Sequence, residues 1–243
     1  MAEGRLLARP LRFDEAEAFL RDKVAMAPED FARLQEAARS KAFTAAGIAS
    51  LHALEDLLAL LQRAMEEGWT LREFQQEAPA VLERHGYTGL TPYQTDNIFR
   101  TNMQVAFQAG RYRQMTRPDV LRARPYWQYD AVNDRRTRPT HRALDGKVFR
   151  ADDPFWDTWY PPNGFRCRCS VRSLSEEEVR RQGLVVESGV PDMVEVDGMA
   201  RPLLPDPGWG HNPAKAAWEP DLQRVDPELR AAFERRQARQ REG

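Results

Sequence analysis

The sequence predicts an α+β protein with a mainly helical N-terminal half, a small α+β module and an extended C-terminal tail. Three observations predict it. Apolar residues recur at helical spacing from Leu51 through Phe107. Aromatic and β-branched runs begin after Arg117-Pro118. Five prolines then crowd residues 201–220, around Asp206-Pro207-Gly208-Trp209-Gly210. The expected divisions are a helical domain over 1–117, a module over 118–200 and a polar tail over 201–243.

The helical half reads element by element. Segments 14–26 and 28–40 have the spacing of short amphipathic helices. Leu51, Leu54, Leu57, Leu58, Leu61 and Met65 form one apolar stripe, which Gly68 stops. Thr70 with Glu73 is a capping-box pattern opening the next helix, and Pro79 inside it predicts a kink or a split. Thr91-Pro92-Tyr93-Gln94 gives a cap, a proline at the first helical position and a glutamine three residues after the cap. Ile98, Phe99, Met103, Ala106 and Phe107 continue that helix, with an end expected near Gly110. The simplest account of all these stripes is core packing.

The module reads differently. Tyr126–Val132 predicts a strand, and Lys147-Val148-Phe149 and Cys167–Val171 predict two more. Phe155, Trp156, Trp159 and Tyr160 fall in a stretch rich in Pro, Asp and Gly that reads as a loop. Ser175 with Glu178 caps a short helix that Gly183 ends, and Leu184-Val185-Val186 is a last strand. Pro227–Arg241 predicts a charged helix with little apolar face.

Bulk properties bound the function. A chain of 243 residues buries a core without needing disulfides. Two cysteines cannot build a disulfide framework, Met1–Pro10 lacks an apolar signal-peptide core, and no apolar run nears the ~20 residues of a membrane span. The expectation is a soluble chain made in a reducing cytosol, with no membrane partner. Net charge is −1, which argues against a general nucleic-acid binder. Residues 111–150, however, hold 11 basic and 4 acidic residues, a local net of +7. Arg111, Arg113, Arg122, Arg124, Arg135 and Arg136, interleaved with Tyr112, Tyr126, Trp127 and Tyr129, are therefore candidate contacts to a phosphate backbone.

Two blocks concentrate the chemistry. Arg136–Gly146 holds His141, and Pro161–Cys169 holds both cysteines. Cys167 and Cys169, two apart on an expected strand, would share a face with His141 in reach. One His and two thiolates make three-quarters of a tetrahedral zinc site, with Asp134, Asp145, His211 or water as the fourth ligand. The same residues also fit two small buried thiols beside a hydrogen-bonded His141. A thiol-enzyme triad with Asp145 orienting His141 lacks a nucleophile elbow and a helix N-terminus at either cysteine. Asp145-Gly146 reads as a tight turn between short strands, and Pro161-Pro162-Asn163-Gly164 as a rigid entry to a turn with positive φ at Asn163 or Gly164. Arg138, Pro139, Asp145, Gly146, Pro162, Asn163 and Gly164 are thus the candidate turn residues that lock the module.

These blocks, in order, resemble the phage Mu F-like minor head protein family, also called the phage head morphogenesis family. The resemblance rests on Thr101-Asn102 with Ala106 and Gly110-Arg111-Tyr112, then Arg138-Pro139 with His141 and Asp145-Gly146. It continues through Asp152–Trp156, Pro161–Gly164, Cys167-Arg168-Cys169, Gly208-Trp209 and Asn212-Pro213. It implies a non-enzymatic virion protein of the phage head, made in the bacterial host cytoplasm. The implied partners are the portal protein and other head proteins, with a role in head morphogenesis and in DNA packaging or delivery. Contact with viral DNA, as an accessory protein of packaging or ejection, is the alternative. Some members carry further cysteines at the Arg138-Pro139 and His141 positions that look like metal ligands; this chain does not.

Overall fold

The computed structural model describes residues 12–88, 90–215 and 235. The expected tail helix over Pro227–Arg241, like Met1–Pro10, lies outside the described residues except for Arg235. Two large apolar clusters organise the described residues, one among the N-terminal helices and one in the module that follows, beside a small third of Val148, Leu174 and Val179.

The first part contains α1 (Asp14–Arg21), β1 (Val24–Ala25), α2 (Pro28–Arg33), α3 (Glu36–Arg39), β2 (Ala42–Phe43), α4 (Leu51–Glu66), α5 (Leu71–Glu83) and α6 (Pro92–Met115). The capping boxes at Thr70 and Thr91 both form, with the side chain and the third-residue partner bonded reciprocally. Gly68 adopts φ 69° just past the end of α4, as a left-handed helix stop requires. Leu54, Leu57, Leu58 and Leu61 of α4 pack with Phe19 and Leu20 of α1, Phe74 and Leu82 of α5, and Ala106 and Ala109 of α6. Segment 14–26 is a helix only to Arg21, because Val24–Ala25 pairs in parallel with Ala42–Phe43. Segment 28–40 is likewise broken, at Leu34-Gln35, into two short helices. Pro79 does not split α5, which continues through it.

Gly110 is not a terminator. The α6 helix runs on to Met115. A Cβ at Gly110 would lie 2.8 Å from the Ala16 nitrogen and 2.9 Å from the Phe13 ring. The glycine therefore serves the close approach of α1 to α6.

The module holds α7 (Pro118–Ala123), β3 (Tyr126–Asp130), α8 (Pro139–Ala143), β4 (Val148–Arg150), α9 (Phe155–Trp159), β5 (Ser170–Leu174), α10 (Glu176–Arg181), β6 (Val186–Glu187), β7 (Met193–Val196) and β8 (Met199–Pro202). Four strands form one sheet in the order β5-β3-β4-β6, antiparallel except for β4 with β6. Trp127 and Tyr129 alternate with half-buried neighbours along β3, the period of a strand with one covered face. They pack with Phe149, Phe155, Trp156, Trp159, Tyr160 and Val171. Phe149 and Phe155 stack at 3.8 Å. The expected aromatic loop is therefore a buried helix, α9. The hairpin β7-β8 and the helix α7 carry no periodicity long enough to read from sequence. Among the described residues, no helix is long and apolar enough to cross a membrane.

Residues 203–215 run back over both clusters. Leu203 joins the second, while Trp209 and Ala214 pack on the first. Asn212 donates to the Trp156 carbonyl, Ser40 donates to the Pro213 carbonyl, and Lys215 pairs with Asp157.

Lys23 is buried at the base of β1. Its ammonium donates to the carbonyls of Ser40 at 2.7 Å and Ala42 at 3.3 Å. Burial, with the nearby Lys41 charge adding, pushes its pKa down from 10.5 to about 7.

Two outcomes follow from this packing. Gly110→Ala, which would gain about 0.8–1 kcal/mol in an open helix, is expected to destabilise by about 1–3 kcal/mol through overpacking against α1. Urea unfolding of the two proteins checks it. Between pH 7 and 10.5 the unfolded chain holds the Lys23 proton that the folded chain lacks, so this residue's contribution to stability rises with pH across that window. Stability measured as a function of pH is expected to rise less steeply there in Lys23→Met.

Candidate functional site

His141 and the two cysteines reach one place from two separately braced segments. Pro139 opens α8 at its first position, where a missing N–H costs nothing, and carries His141 inward. The cysteines lie just before β5, not on it, so strand alternation does not set their direction. A turn does: the Cys167 N–H donates to the Gly164 carbonyl at 3.2 Å. Arg166 takes the positive φ, 59°, which the sequence assigned to Asn163 or Gly164. Gly164 is needed for space instead, since a Cβ there would collide with the Asp206 carboxylate and lie 2.9 Å from the Arg138 guanidinium.

Asn163 anchors this turn. It is fully buried; its Oδ1 accepts from the Tyr129 hydroxyl at 3.1 Å and its Nδ2 donates to the Thr158 carbonyl at 3.1 Å. Its own carbonyl accepts from the Asp206 N–H at 3.1 Å. Pro162, in cis linkage to Pro161, leads into it. From the other side α6 holds the backbone after the turn. Gln104 and Gln108 both donate to the Cys169 carbonyl, at 2.9 and 3.3 Å, and Arg111 donates to the Val171 carbonyl at 2.6 Å.

The result is a buried cluster: His141 1%, Cys167 4% and Cys169 3% exposed. The His141 Nδ1 lies 3.7 Å from the Cys167 sulfur and 3.6 Å from that of Cys169. The three ligating atoms all fall within 4.8 Å of one another. The Cys169 thiol lowers the Cys167 pKa by hydrogen bonding, burial opposes, and His141 lowers it further; Cys169 is raised by its bond to Cys167 and by burial. Tyr129, beside them, is raised well above the usual phenol range, first by burial and then by the sulfurs.

Four arginines surround the cleft onto which the cluster opens, together with Val132 and Thr137. Each has an acidic partner. Arg168 bonds both Asp134 oxygens, at 2.8 and 2.6 Å, and holds that carboxyl well below the ordinary range. Arg136 approaches the same carboxylate at 3.8 Å. Arg138 pairs with Asp206, and Arg166 with Asp96.

The other expected site residues fall elsewhere. Asp145 accepts from the Ala131 N–H at 2.8 Å and from Asn133, rather than orienting His141. The Nε2 of His141 is buried with no hydrogen-bond partner among the described residues. The Cys–His–Asp145 arrangement of a thiol enzyme is thus not assembled. The fourth-ligand candidates Asp134 and Asp145 are engaged as above, and His211 sits beside Glu36, 3.8 Å away. Asp145-Gly146 joins α8 to β4 instead of linking two strands, and the Gly146 N–H bonds the Tyr129 carbonyl. Of the basic window, Arg111 is tied to Val171, Arg113 faces Asp22 at 3.9 Å, and Arg124 holds the Ser173 carbonyl and Glu178. Arg122, Arg135 and Arg136 are exposed. Tyr129, expected among the aromatics of the basic window, is instead fully buried with its hydroxyl on Asn163. Asp206, Gln104 and Gln108 also brace the site, and no local pattern in the sequence marks them.

The family model described as Phage Mu protein F like protein matches residues 55–172, a stretch that takes in His141 and both cysteines. A putative capsid assembly protein F of Escherichia phage Mu is 35% identical over 222 residues, 76% of this chain and 50% of that protein. The Mu-like prophage FluMu F protein of Haemophilus influenzae is 38% identical over 170 residues, 65% of this chain and 41% of that protein. The chain thus spans about half the length, or less, of these curated relatives. No solved structure matches.

Asn163→Ala removes a partner from the buried Tyr129 hydroxyl and from the half-buried Thr158 carbonyl, at up to about 1–3 kcal/mol each. Tyr129→Phe orphans only the Asn163 oxygen. Denaturant unfolding is expected to show a loss in Asn163→Ala roughly twice that in Tyr129→Phe.

Proposed function

This chain belongs to the Phage Mu protein F like family through residues 55–172, and on that premise we propose that it is a minor structural protein of a phage or prophage head, acting in head morphogenesis. The carrying observation is the shared stretch with a capsid assembly protein over 76% of this chain. The architecture supports a structural role. Both thiols are buried, the acid that would orient His141 is committed to the backbone of Ala131, and the contacts of His141 with the two sulfurs join α8 to the turn before β5. In this reading the protein is made in the bacterial cytoplasm and enters the virion with other head proteins. The portal vertex is its docking place, and it is not an enzyme.

A second reading is an accessory protein that touches DNA during packaging or ejection. One observation favours it: Arg122, Arg135 and Arg136 remain exposed in the window of net charge +7. A contact of this kind weakens steeply with salt, because each neutralised phosphate releases counterions.

Co-expression with the portal and major head proteins of the same phage separates the two. The head-protein reading expects the chain to sediment with portal-containing procapsids at low copy. It fails if the chain remains free while procapsids of normal shape form without it. Salt-dependent retention of linear DNA, lost when Arg122, Arg135 and Arg136 are all changed to Ala, would establish the second reading instead.

A further inference from the structure

We propose that His141, Cys167 and Cys169 bind one zinc ion, through the Nδ1 of the histidine and both thiolates, as a structural centre tying α8 to the turn before β5. The inference stands on the cluster's geometry and does not depend on the role in head assembly.

The distances carry it. Zinc binds sulfur at about 2.3 Å and imidazole nitrogen at about 2.0–2.1 Å in a tetrahedron, so a nitrogen and a sulfur on one ion stand roughly 3.6 Å apart. The two nitrogen–sulfur separations here are 3.6 and 3.7 Å. Hydrogen bonding accounts for only one of them. The unprotonated Nδ1 offers a single lone pair, which accepts one S–H well and not two. A cation shared by all three atoms accounts for both separations at once.

Charge points the same way. Two thiolates and a neutral imidazole cancel the ion's charge, so the centre adds no net charge to a buried place. The four arginines around the cleft do not compete, because Asp134, Asp206 and Asp96 already face them. Nor do the sulfurs need the arginines for neutrality once a metal is present. The soft donor set selects zinc over magnesium or calcium, which take oxygen ligands. The fourth corner belongs to water, since Asp134, Asp145 and His211 are each held elsewhere. The donors themselves line the cleft through which that water enters.

The scaffold is suited to it as well. Each donor is oriented by groups outside the cluster: His141 by α8, and the thiols by the Gly164 turn and by the α6 glutamines on the Cys169 carbonyl. A preformed set of this kind converts metal binding into folding free energy. The ion is then a cross-link between chain segments, with no role in catalysis.

The test uses the full 243-residue chain, made in zinc-containing medium and desalted. Metal analysis is expected to find about one equivalent of zinc, and cobalt(II) exchanged into the site should show a thiolate-to-cobalt charge-transfer band. In the unaltered protein stripped of metal with a chelator, zinc added back should slow alkylation of the thiols at least about tenfold, which keeps the proposal testable if Cys169→Ser fails to fold. Where Cys169→Ser folds, it should lose the stoichiometric metal. Less than about a tenth of an equivalent, with thiol reactivity unchanged by zinc, overturns the proposal. So does a Cys167–Cys169 disulfide in protein purified under reducing conditions.

Discussion

The buried amide of Asn163 is the constraint on which the module rests. It joins β3 through the Tyr129 hydroxyl and α9 through the Thr158 carbonyl, while the backbone carbonyl of the same residue accepts from the Asp206 N–H of the returning C-terminal segment. A polar group with no exposed surface cannot exchange these partners for water, so each must be met by the protein. The turn that carries the cysteines begins at the next residue. The placement of the thiols against His141 is therefore inherited from three segments distant in sequence.

The helical part contributes through α6, which is long enough to serve both clusters. Its Ala106 and Ala109 lie in the first, and Gln108 is buried between the Tyr160 hydroxyl and the Cys169 carbonyl. Residues 203–215 close the structure from the opposite direction. Trp209 packs on the helices and meets the Phe165 ring at 5.1 Å, one residue from the Gly164 turn. The site is thus held between a helix that precedes it and a segment that follows it.

What was legible in the sequence is what is local. The capping boxes at Thr70, Thr91 and Ser175 each need four residues, and all three form. The β3 alternation is similarly self-contained. Residue types also exposed the cluster: a histidine and a Cys-x-Cys among turn residues. What was not legible depends on contacts across the fold. Gly110 resembles a helix stop until Phe13 and Ala16 are placed against it. The run Phe155–Trp159 is too short to show a helical period, and only burial of its rings orders it. Asp206 carries no local sign that it would face Arg138 and the backbone of Asn163.

Amide hydrogen exchange followed residue by residue tests the central claim most directly, that one clasp at Asn163 holds the site. The Asp206 N–H is expected to exchange as slowly as the Tyr129 N–H in the sheet, both opening only when the module unfolds. Exchange of Asp206 at the rate of an open loop, with Tyr129 still protected, would contradict the account.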